Sequence, residues 1–181
     1  KTILETIESA LKLDYPKDKV EIIVINDGSK DSTRNIVERI IREKKDRKII
    51  LLNQKNQGKG AALNNAVKRA KGEIFIPFDA DSTIREDALQ RIIPEFDQED
   101  MGAVLPLMKV KDPKNILEKI QWCEYLINLF YKKLMSSLDC VSVAPGPFSA
   151  YKREVIQKIG GFDENNLTED LEISLRLQKH H

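Results

Sequence analysis

Apolar residues along the chain change between two spacings, and the change predicts the order of the elements. Helical spacing, with apolar residues one turn apart, occurs over 1–13, 32–44, 61–70 and 88–96. Short, apolar runs bounded by turn residues, typical of buried strands, occur over 20–25, 48–52, 73–78 and 103–108. Strands that alternate with helices indicate βαβ units. We therefore expect an α/β domain with a mainly parallel central sheet.

A longer helical segment at 115–138 carries apolar residues on an unusually wide face. We expect a helix that is buried on most of its sides. The alternative is a helix that docks on a membrane surface or on a segment outside this sequence. The uncharged stretch from Tyr125 to Tyr131 is too short to span a bilayer, and no signal peptide opens the chain. The sequence therefore predicts a soluble, cytoplasmic chain.

Composition narrows the class of protein. The chain has 181 residues, 41% of them hydrophobic and 33% charged, which fits one soluble globular domain over 1–181. The chain has 30 Lys and Arg residues and 29 Asp and Glu residues. This balance of charge gives no support for a nucleic-acid partner. Cys123 and Cys140 form no C-x-x-C motif, so we expect both to be reduced and buried rather than disulfide-bonded.

Ligands of mainly parallel sheets bind at the carboxyl ends of the strands, so polar residues directly after a predicted strand are candidates. Asp27 lies in the segment Asn26-Asp27-Gly28-Ser29, after the strand at 20–25. A plain turn explains the Asp-Gly pair equally well. The functional alternative is a carboxylate that accepts a hydrogen bond from a nucleobase N–H.

A glycine-rich segment, 56–64, lies between a predicted strand and a predicted helix and contains Lys59. Its glycines allow close approach to a ligand, and a helix N-terminus with a lysine suits a diphosphate. The segment is not a P-loop, because Asn53 stands where the first glycine belongs and Gly60 stands in place of Ser or Thr. It is not a dinucleotide fingerprint, because Leu63 replaces the third glycine.

Acidic residues follow two further elements. Asp79 and Asp81 come directly after the strand at 73–78, where paired carboxylates repel each other unless a cation lies beside them. A hard divalent cation bound with phosphate oxygens fits this pair better than a solvated turn. Thr168-Glu169-Asp170 precedes an amphipathic helix, which Thr168 could simply cap. Upstream, 145–153 reads either as a surface loop before a helix at 153–159 or as a loop facing an acceptor.

Six segments in this order resemble family 2 glycosyltransferases of the GT-A fold: NDGSKDST, NQGKGAALN, DADS, GPFSAYKREV, GGFD and TED. The most similar branch includes the hyaluronan, chitin, cellulose and poly-N-acetylglucosamine synthases. The resemblance runs along nearly the whole chain. It implies a GT-A sandwich, with a nucleotide-binding half at 1–108 and an acceptor-side half at 109–181.

The resemblance also implies a function for each motif. The donor is a UDP-sugar, UDP-N-acetylglucosamine before UDP-glucose, and the acceptor is a glycan or lipid whose attack inverts the anomeric carbon. The implied roles are Asp27 on the base, Lys59 near the diphosphate, Asp79 near the ribose, Asp81 on Mg²⁺ or Mn²⁺, Asp170 as general base, and Gly146, Pro147, Phe148 and Glu169 on the acceptor side.

Some features depart from the family pattern. Asn26 replaces an acid that often precedes the base-contacting Asp. The chain starts inside the first helix and stops before a Q-x-x-R-W motif, so we expect a domain truncated at both ends, inactive as a fragment, from a parent at the cytoplasmic face of a membrane. A nucleotidyltransferase is one alternative, but its phosphate loop is not found. A non-catalytic domain that only binds nucleotide or a partner is the other, although Asp79, Asp81 and Asp170 remain.

Overall fold

The computed structural model of the protein describes residues 2–98, 101–106, 113–138, 148–166 and 168–179. The helices are α1 (Thr2–Leu11), α2 (Thr33–Glu43), α3 (Lys59–Arg69), α4 (Ala88–Ile92), α5 (Ile116–Ser137), α6 (Arg153–Lys158) and α7 (Glu169–Lys179). The strands are β1 (Glu21–Asp27), β2 (Lys48–Gln54), β3 (Ile74–Phe75), β4 (Ala103–Val104) and β5 (Ala150–Lys152). The predicted helices and strands are confirmed in kind and order, but the strand expected at 73–78 is limited to Ile74–Phe75. The fourth helix is shorter than predicted, because a 3-10 turn at Ile93–Asp97 with a proline in its first positions replaces its end.

Strand pairing places two strand ends side by side. β1 and β2 are parallel along their whole length, and Asp27 at the end of β1 lies opposite Gln54 at the end of β2. This confirms the predicted parallel pairing. A second sheet has the order β3-β5-β4, with both pairs antiparallel.

The central strand of that second sheet was not predicted. β5 falls in the segment that we interpreted as a surface or acceptor-facing loop, yet Ala150 and Tyr151 are 0% and 1% exposed. The surface-loop alternative is therefore wrong for these residues. The physical reason is that β5 is hydrogen-bonded on both of its edges and that Tyr151 packs in the core against helix side chains such as Ile156 and Ile173.

The largest core cluster joins elements from both ends of the chain. Val67 of α3 and Phe75 of β3 pack with Tyr151, Ile156 and Ile173 of β5, α6 and α7. A second cluster packs α1 and α2 on the β1–β2 pair. Each fully buried side chain of this size contributes about 1.5–3 kcal/mol of transfer free energy. The shared core fixes α3 and α7 relative to each other, and both helices carry candidate site residues at their N-termini.

Helix α5 has the predicted bounds but not the predicted burial. Asn115 and Glu118 form a capping box at its start, and none of its residues is buried. Apolar side chains such as Ile116 and Phe130 are 71% and 66% exposed. The expectation of a helix buried on most sides is therefore wrong, because its neighbours, not its own pattern, decide how much of an apolar face is covered.

Two further expectations, on the cysteines and on membrane-spanning helices, can be compared with the structure. Cys123 lies on α5 and is an exposed free thiol, so the expectation that it is buried is wrong for the same reason as for the helix. Cys140 lies outside the described residues. No helix in the described part of the chain combines the length and apolar character needed to cross a bilayer.

Candidate active site

The carboxylate of Asp27 holds the glycine-rich loop at the end of the parallel strands. Oδ1 accepts hydrogen bonds from Gln54 Nε2 and from the Gln57 backbone N–H, each at 2.9 Å, and Oδ2 accepts from the Gly58 N–H at 3.0 Å. Partial burial works to raise the pKa of the Asp27 carboxyl, but these three bonds favour its ionised form and the net pKa is lowered. The loop is also close to Gly28, where an added Cβ would lie 2.9 Å from the Asn56 nitrogen. Asp27 is thus an anchor of the loop as well as a candidate base contact.

Lys59 is the first residue of α3 and lies between two carboxylates. Its Nζ is 3.2 Å from Asp79 Oδ1 and 2.8 Å from Glu169 Oε1. Partial burial works to lower the pKa of Lys59, but the two carboxylates outweigh it and the net pKa is raised. The structure therefore brings Lys59 and Asp79 together, the two residues that the resemblance assigned to the diphosphate and the ribose. It places Glu169, which the resemblance put on the acceptor side, against the same lysine.

The turn that carries Asp79 and Asp81 is held by α1. The Ser82 N–H donates to the Asp79 carbonyl at 3.2 Å, which closes the turn. The Thr6 hydroxyl, on the buried face of α1, donates to the Ala80 carbonyl at 2.8 Å. Asp81 is exposed at the tip of this turn. Its carboxylate is accessible to a ligand from solvent.

The fit of this turn to a divalent cation depends on what else supplies ligands. Within the described ranges, no group of three or more His, Cys, Asp or Glu side chains converges to hold a metal. Mg²⁺ is usually bound through one or two carboxylates together with phosphate oxygens and water, rather than by a protein cage. The turn fits a metal that arrives with a diphosphate, and Asp81 is the residue that would hold it.

Asp170, the predicted base, lines a small cleft at the start of α7. The cleft is lined by Lys59, Leu63, Pro77, Tyr151, Phe162, Glu169 and Asp170. The first turn of α7 stabilises negative charge, because its free N–H groups point toward its N-terminus. The Asp170 Oδ1 accepts from the Leu171 N–H at 2.9 Å. The candidate base and the candidate donor-side lysine therefore face one cleft.

Tyr151 forms part of this cleft although its motif was interpreted only as a loop. Burial raises the pKa of Tyr151 to about 12, a hydrogen bond with Ser149 works against the rise, and the charges of Asp170 and Glu169 add to it. The phenol therefore stays protonated at neutral pH. A tyrosine in an otherwise ordinary turn-rich segment gave no signal of this position, because its burial depends on β5.

Two residues of the glycine-rich motif connect the donor side to α7. Asn64 Nδ2 donates to the Phe162 carbonyl at 2.9 Å, and Asn64 Oδ1 accepts from the Phe162 N–H at 2.8 Å. Gly60 lies so close to the same segment that an added Cβ would be 2.6 Å from the Asp163 carbonyl oxygen. Sequence reasoning missed these roles, since it assigned the glycines to ligand approach alone.

Only one of the three predicted acceptor-loop residues can be placed. Gly146 and Pro147 lie outside the described residues. Phe148 has φ of 62°, in the left-handed region, and packs edge-on against Phe78 with 5.7 Å between ring centroids. Its N–H donates to the Pro77 carbonyl at 2.7 Å, which ties it to the segment before Asp79. A bulky residue in this conformation is uncommon and is often found at binding sites.

A sheet whose parallel strands end at Asp27, a cationic helix start at Lys59 and an acidic turn beside it define the class. They are the features of GT-A domains, the nucleotide-sugar transferase class of α/β folds. The chain belongs to glycosyl transferase family 2, whose sequence model matches residues 1–160. The resemblance seen in the six motifs is thereby confirmed, as is the α/β GT-A fold.

Two relatives by sequence are synthases of poly-β-1,6-N-acetyl-D-glucosamine. The chain is 34% identical over 178 residues to the poly-β-1,6-N-acetyl-D-glucosamine synthase of Staphylococcus epidermidis, covering 97% of this chain and 42% of that protein. The corresponding synthase of Staphylococcus aureus (strain COL) is 34% identical over 179 residues, with the same two shares. The chain thus spans less than half the length of these curated relatives.

Solved structures agree with the fold. The mannosyltransferase PcManGT from Pyrobaculum calidifontis, solved in complex with GDP-Man and Mn²⁺, superposes with a TM-score of 0.75 at 26% identity, over 97% of this chain and 48% of that one. Residues 1–349 of S. aureus TarS superpose with a TM-score of 0.70 at 24% identity, over 98% of this chain and 51% of that one. At this identity TarS supports the fold alone.

Proposed function

We propose that this chain is the donor-binding catalytic domain of a metal-dependent inverting glycosyltransferase that moves N-acetylglucosamine from UDP-N-acetylglucosamine to a glycan acceptor. The observation that carries the proposal is that Lys59, which pairs with Asp79, and Asp170 line the same cleft. The synthases that share 34% identity with the chain are named for a poly-N-acetylglucosamine product, which favours this sugar over glucose.

The donor site lies at the residues that end or come after β1, β2 and β3. The uracil lies at Asp27, whose carboxylate has about four acceptor positions; within the described residues it uses one on Gln54 of β2 and two on the loop, so one remains for N3–H. The ribose lies near Asp79. The diphosphate lies at the N-terminus of α3, where free backbone N–H groups and the Lys59 ammonium favour an anion. Asp27 thus aligns the base and the diphosphate loop through one side chain.

A divalent cation, Mg²⁺ or Mn²⁺, fits the exposed carboxylate of Asp81 together with diphosphate oxygens. When bound, it neutralises charge on the leaving diphosphate. The mannosyltransferase that shares 26% identity with the chain was solved with Mn²⁺, which supports this choice. Lys59 adds a fixed positive charge on the same side, so the departing UDP is stabilised by the chain itself as well.

Asp170 acts as the general base. Its carboxylate takes the proton of the acceptor hydroxyl, the hydroxyl oxygen forms a bond to the anomeric carbon, and the bond from that carbon to the diphosphate oxygen breaks with its electrons going to UDP. Attack from the side opposite the diphosphate inverts the anomeric carbon. The position of Asp170 in the first turn of α7, facing Lys59 across the cleft, supports this role.

The test separates donor binding from chemistry. UDP is titrated into the chain with and without Mn²⁺ by calorimetry, and transfer from UDP-N-acetylglucosamine is followed as UDP release in the longest form of the protein that can be purified. We expect Asp81→Asn to remove the metal-dependent part of UDP binding. Asp170→Asn should keep UDP affinity within about twofold and lower transfer by about 10²–10⁴-fold. Asp87→Asn, on an acid outside the cleft, is the matched control. Metal-independent binding, or transfer that survives Asp170→Asn, would contradict the proposal.

We further propose that α5 lies on a lipid surface with anionic headgroups. Its half-buried side holds Tyr125, Leu129 and Lys132, and its opposite side is apolar over the whole helix. The exposed apolar side chains are Ile116, Leu117, Ile120, Trp122, Leu126, Ile127, Phe130, Tyr131 and Leu134. This arc is wider than the narrow seam of a coiled coil, and aromatic and lysine side chains at its margins suit a bilayer interface. The exposed free thiol of Cys123 fits the reducing, cytoplasmic face.

Vesicle sedimentation tests this docking surface. We expect the chain to sediment with vesicles that contain phosphatidylglycerol and less with pure phosphatidylcholine. Ile127→Glu, on the exposed face, should weaken this binding by about tenfold or more. Asn128→Glu adds the same charge one residue away, on a side that is already polar, and should change it little. A stable dimer in solution that ignores vesicles and is broken by Ile127→Glu would instead assign the face to a second copy.

A further inference from the structure

The ammonium of Lys59 is shared by two parts of the chain that lie far apart in sequence. Asp79 comes from the turn after β3, and Glu169 is the first residue of α7. The Glu169 side chain is 8% exposed, whereas that of Lys59 is 46% exposed. An ammonium has three protons to donate, and these two carboxylates use two of them. Within the described residues these are the ion pairs of Lys59, so its third proton can reach a ligand on its exposed side.

Glu169 is adjacent in sequence to Asp170, and both belong to the first turn of one helix. Behind that turn, Ile173 and Leu177 are packed in the largest core cluster. The start of α7 therefore has one anchor in the core and one at Lys59. A change at the lysine reaches the candidate base through a single peptide unit.

We infer that Glu169 is a positioning residue that couples donor occupancy at Lys59 to the place of Asp170, an inference that rests on the proposed function. A diphosphate that takes the third proton of Lys59 draws the ammonium toward itself. The Glu169 carboxylate is almost enclosed and has the lysine as its counter-ion, so it follows the ammonium rather than lose it. The first turn of α7 then holds Asp170 in its catalytic position only when the donor is bound.

This inference differs from a role in the donor site itself. If Glu169 held the donor, its removal would weaken UDP binding. As a positioning residue it adds a negative charge close to the diphosphate, so its neutralisation leaves UDP affinity unchanged or increases it. The variant loses only the ordering of the first turn of α7 that donor binding causes.

Amide hydrogen exchange measures this ordering of α7 directly, without a change to the chain. We expect UDP with Mn²⁺ to slow amide exchange over the first two turns of α7 by about fivefold or more in the unmutated chain. In Glu169→Gln this slowing should disappear, while UDP affinity stays equal or rises by up to about fivefold. Glu172→Gln removes a carboxylate from the same helix, where it pairs with Arg176 rather than Lys59, and should respond like the unmutated chain.

The outcomes are distinguishable. A Glu169→Gln chain that still shows the slowing overturns the inference alone, as does a tenfold loss of UDP affinity, which would assign Glu169 to the donor site. Failure of UDP to bind to the unmutated chain with Mn²⁺ overturns the proposed function and this inference with it. A melting temperature within a few degrees of the unmutated chain shows that the variants are folded.

Discussion

Gly60 offers a sharp test of how the donor-side helix meets the segment that leads to α7. It is the second residue of α3 and is buried, with an ordinary helical backbone. By helix propensity alone, replacement of a helical glycine by alanine stabilises a protein by about 1 kcal/mol. The structure predicts the opposite sign, because the new Cβ would lie 2.6 Å from the Asp163 carbonyl oxygen and 3.1 Å from the Glu164 Cα.

The size of the effect follows from what must move. Both contacts are with backbone atoms, so no side-chain rotation can relieve them. Crowding of one methyl group into a packed region costs about 1–3 kcal/mol, and more where backbone has to shift. Set against the propensity gain of about 1 kcal/mol, a contact at the high end of that range leaves Gly60→Ala about 1–2 kcal/mol less stable. For a domain of this length that lowers the melting temperature by about 2–8 °C.

Urea and thermal denaturation followed by circular dichroism measure this difference. The control is the pair Lys68→Ala and Lys68→Gly, at an exposed position of the same helix, where only propensity acts and alanine should be favoured. A Gly60→Ala chain as stable as the unmutated one, or more stable, would refute the reasoning. It would show that α3 and the segment at Asp163 are not packed at this distance.

Three further predictions concern the same framework. The lowered pKa of Asp27 means that its carboxylate stabilises the fold above the ordinary Asp value of about 3.9 and that this contribution is lost as pH falls through the lower folded-state pKa. By urea denaturation, Asp27→Asn should therefore cost about 1 kcal/mol at pH 7, and the cost should shrink as the pH falls below the ordinary Asp value. Asn64→Ala should destabilise by about 1–3 kcal/mol, because it leaves the N–H and carbonyl of Phe162 without their partner, whereas Asn65→Ala loses only its bond to Gln54. Tyr151→Phe removes a protonated hydroxyl from the cleft that Asp170 also lines. It should leave UDP affinity within about twofold and lower transfer by about tenfold, as measured by UDP release.

The elements that the sequence predicted well are those whose pattern is local. The run at 20–25 is apolar and β-branched, has a turn on each side and pairs over its full length with the run at 48–52. The positions of Asp27 and Lys59 followed, because Asp27 ends β1 and Lys59 begins α3, whereas β3 ends at Phe75, before the position that was expected to place Asp79. Their assigned roles stay predictions until ligands are bound.

The features that the sequence did not predict depend on distant partners. β5 has three residues, too few for a period, and is a strand only because β3 and β4 flank it. The exposure of α5 depends on what lies beside it, which its own pattern does not contain. The pairing of Lys59 with Glu169 needs the packing of α7, and an acid at a helix start gives no information about its counter-ion.

The two halves expected on either side of residue 108 share one hydrophobic core. The nucleotide-binding half supplies Val67 and Phe75 to the largest core cluster, and the acceptor-side half supplies Tyr151, Ile156 and Ile173 to the same cluster. β3 of the first half bonds only to β5 of the second within the described strands. Neither half could bury these side chains alone, and so the two should unfold in one transition. The shared core ties the segments that carry the candidate donor site and the candidate base, and the contact of Lys59 with the buried Glu169 is where we infer that they adjust to each other.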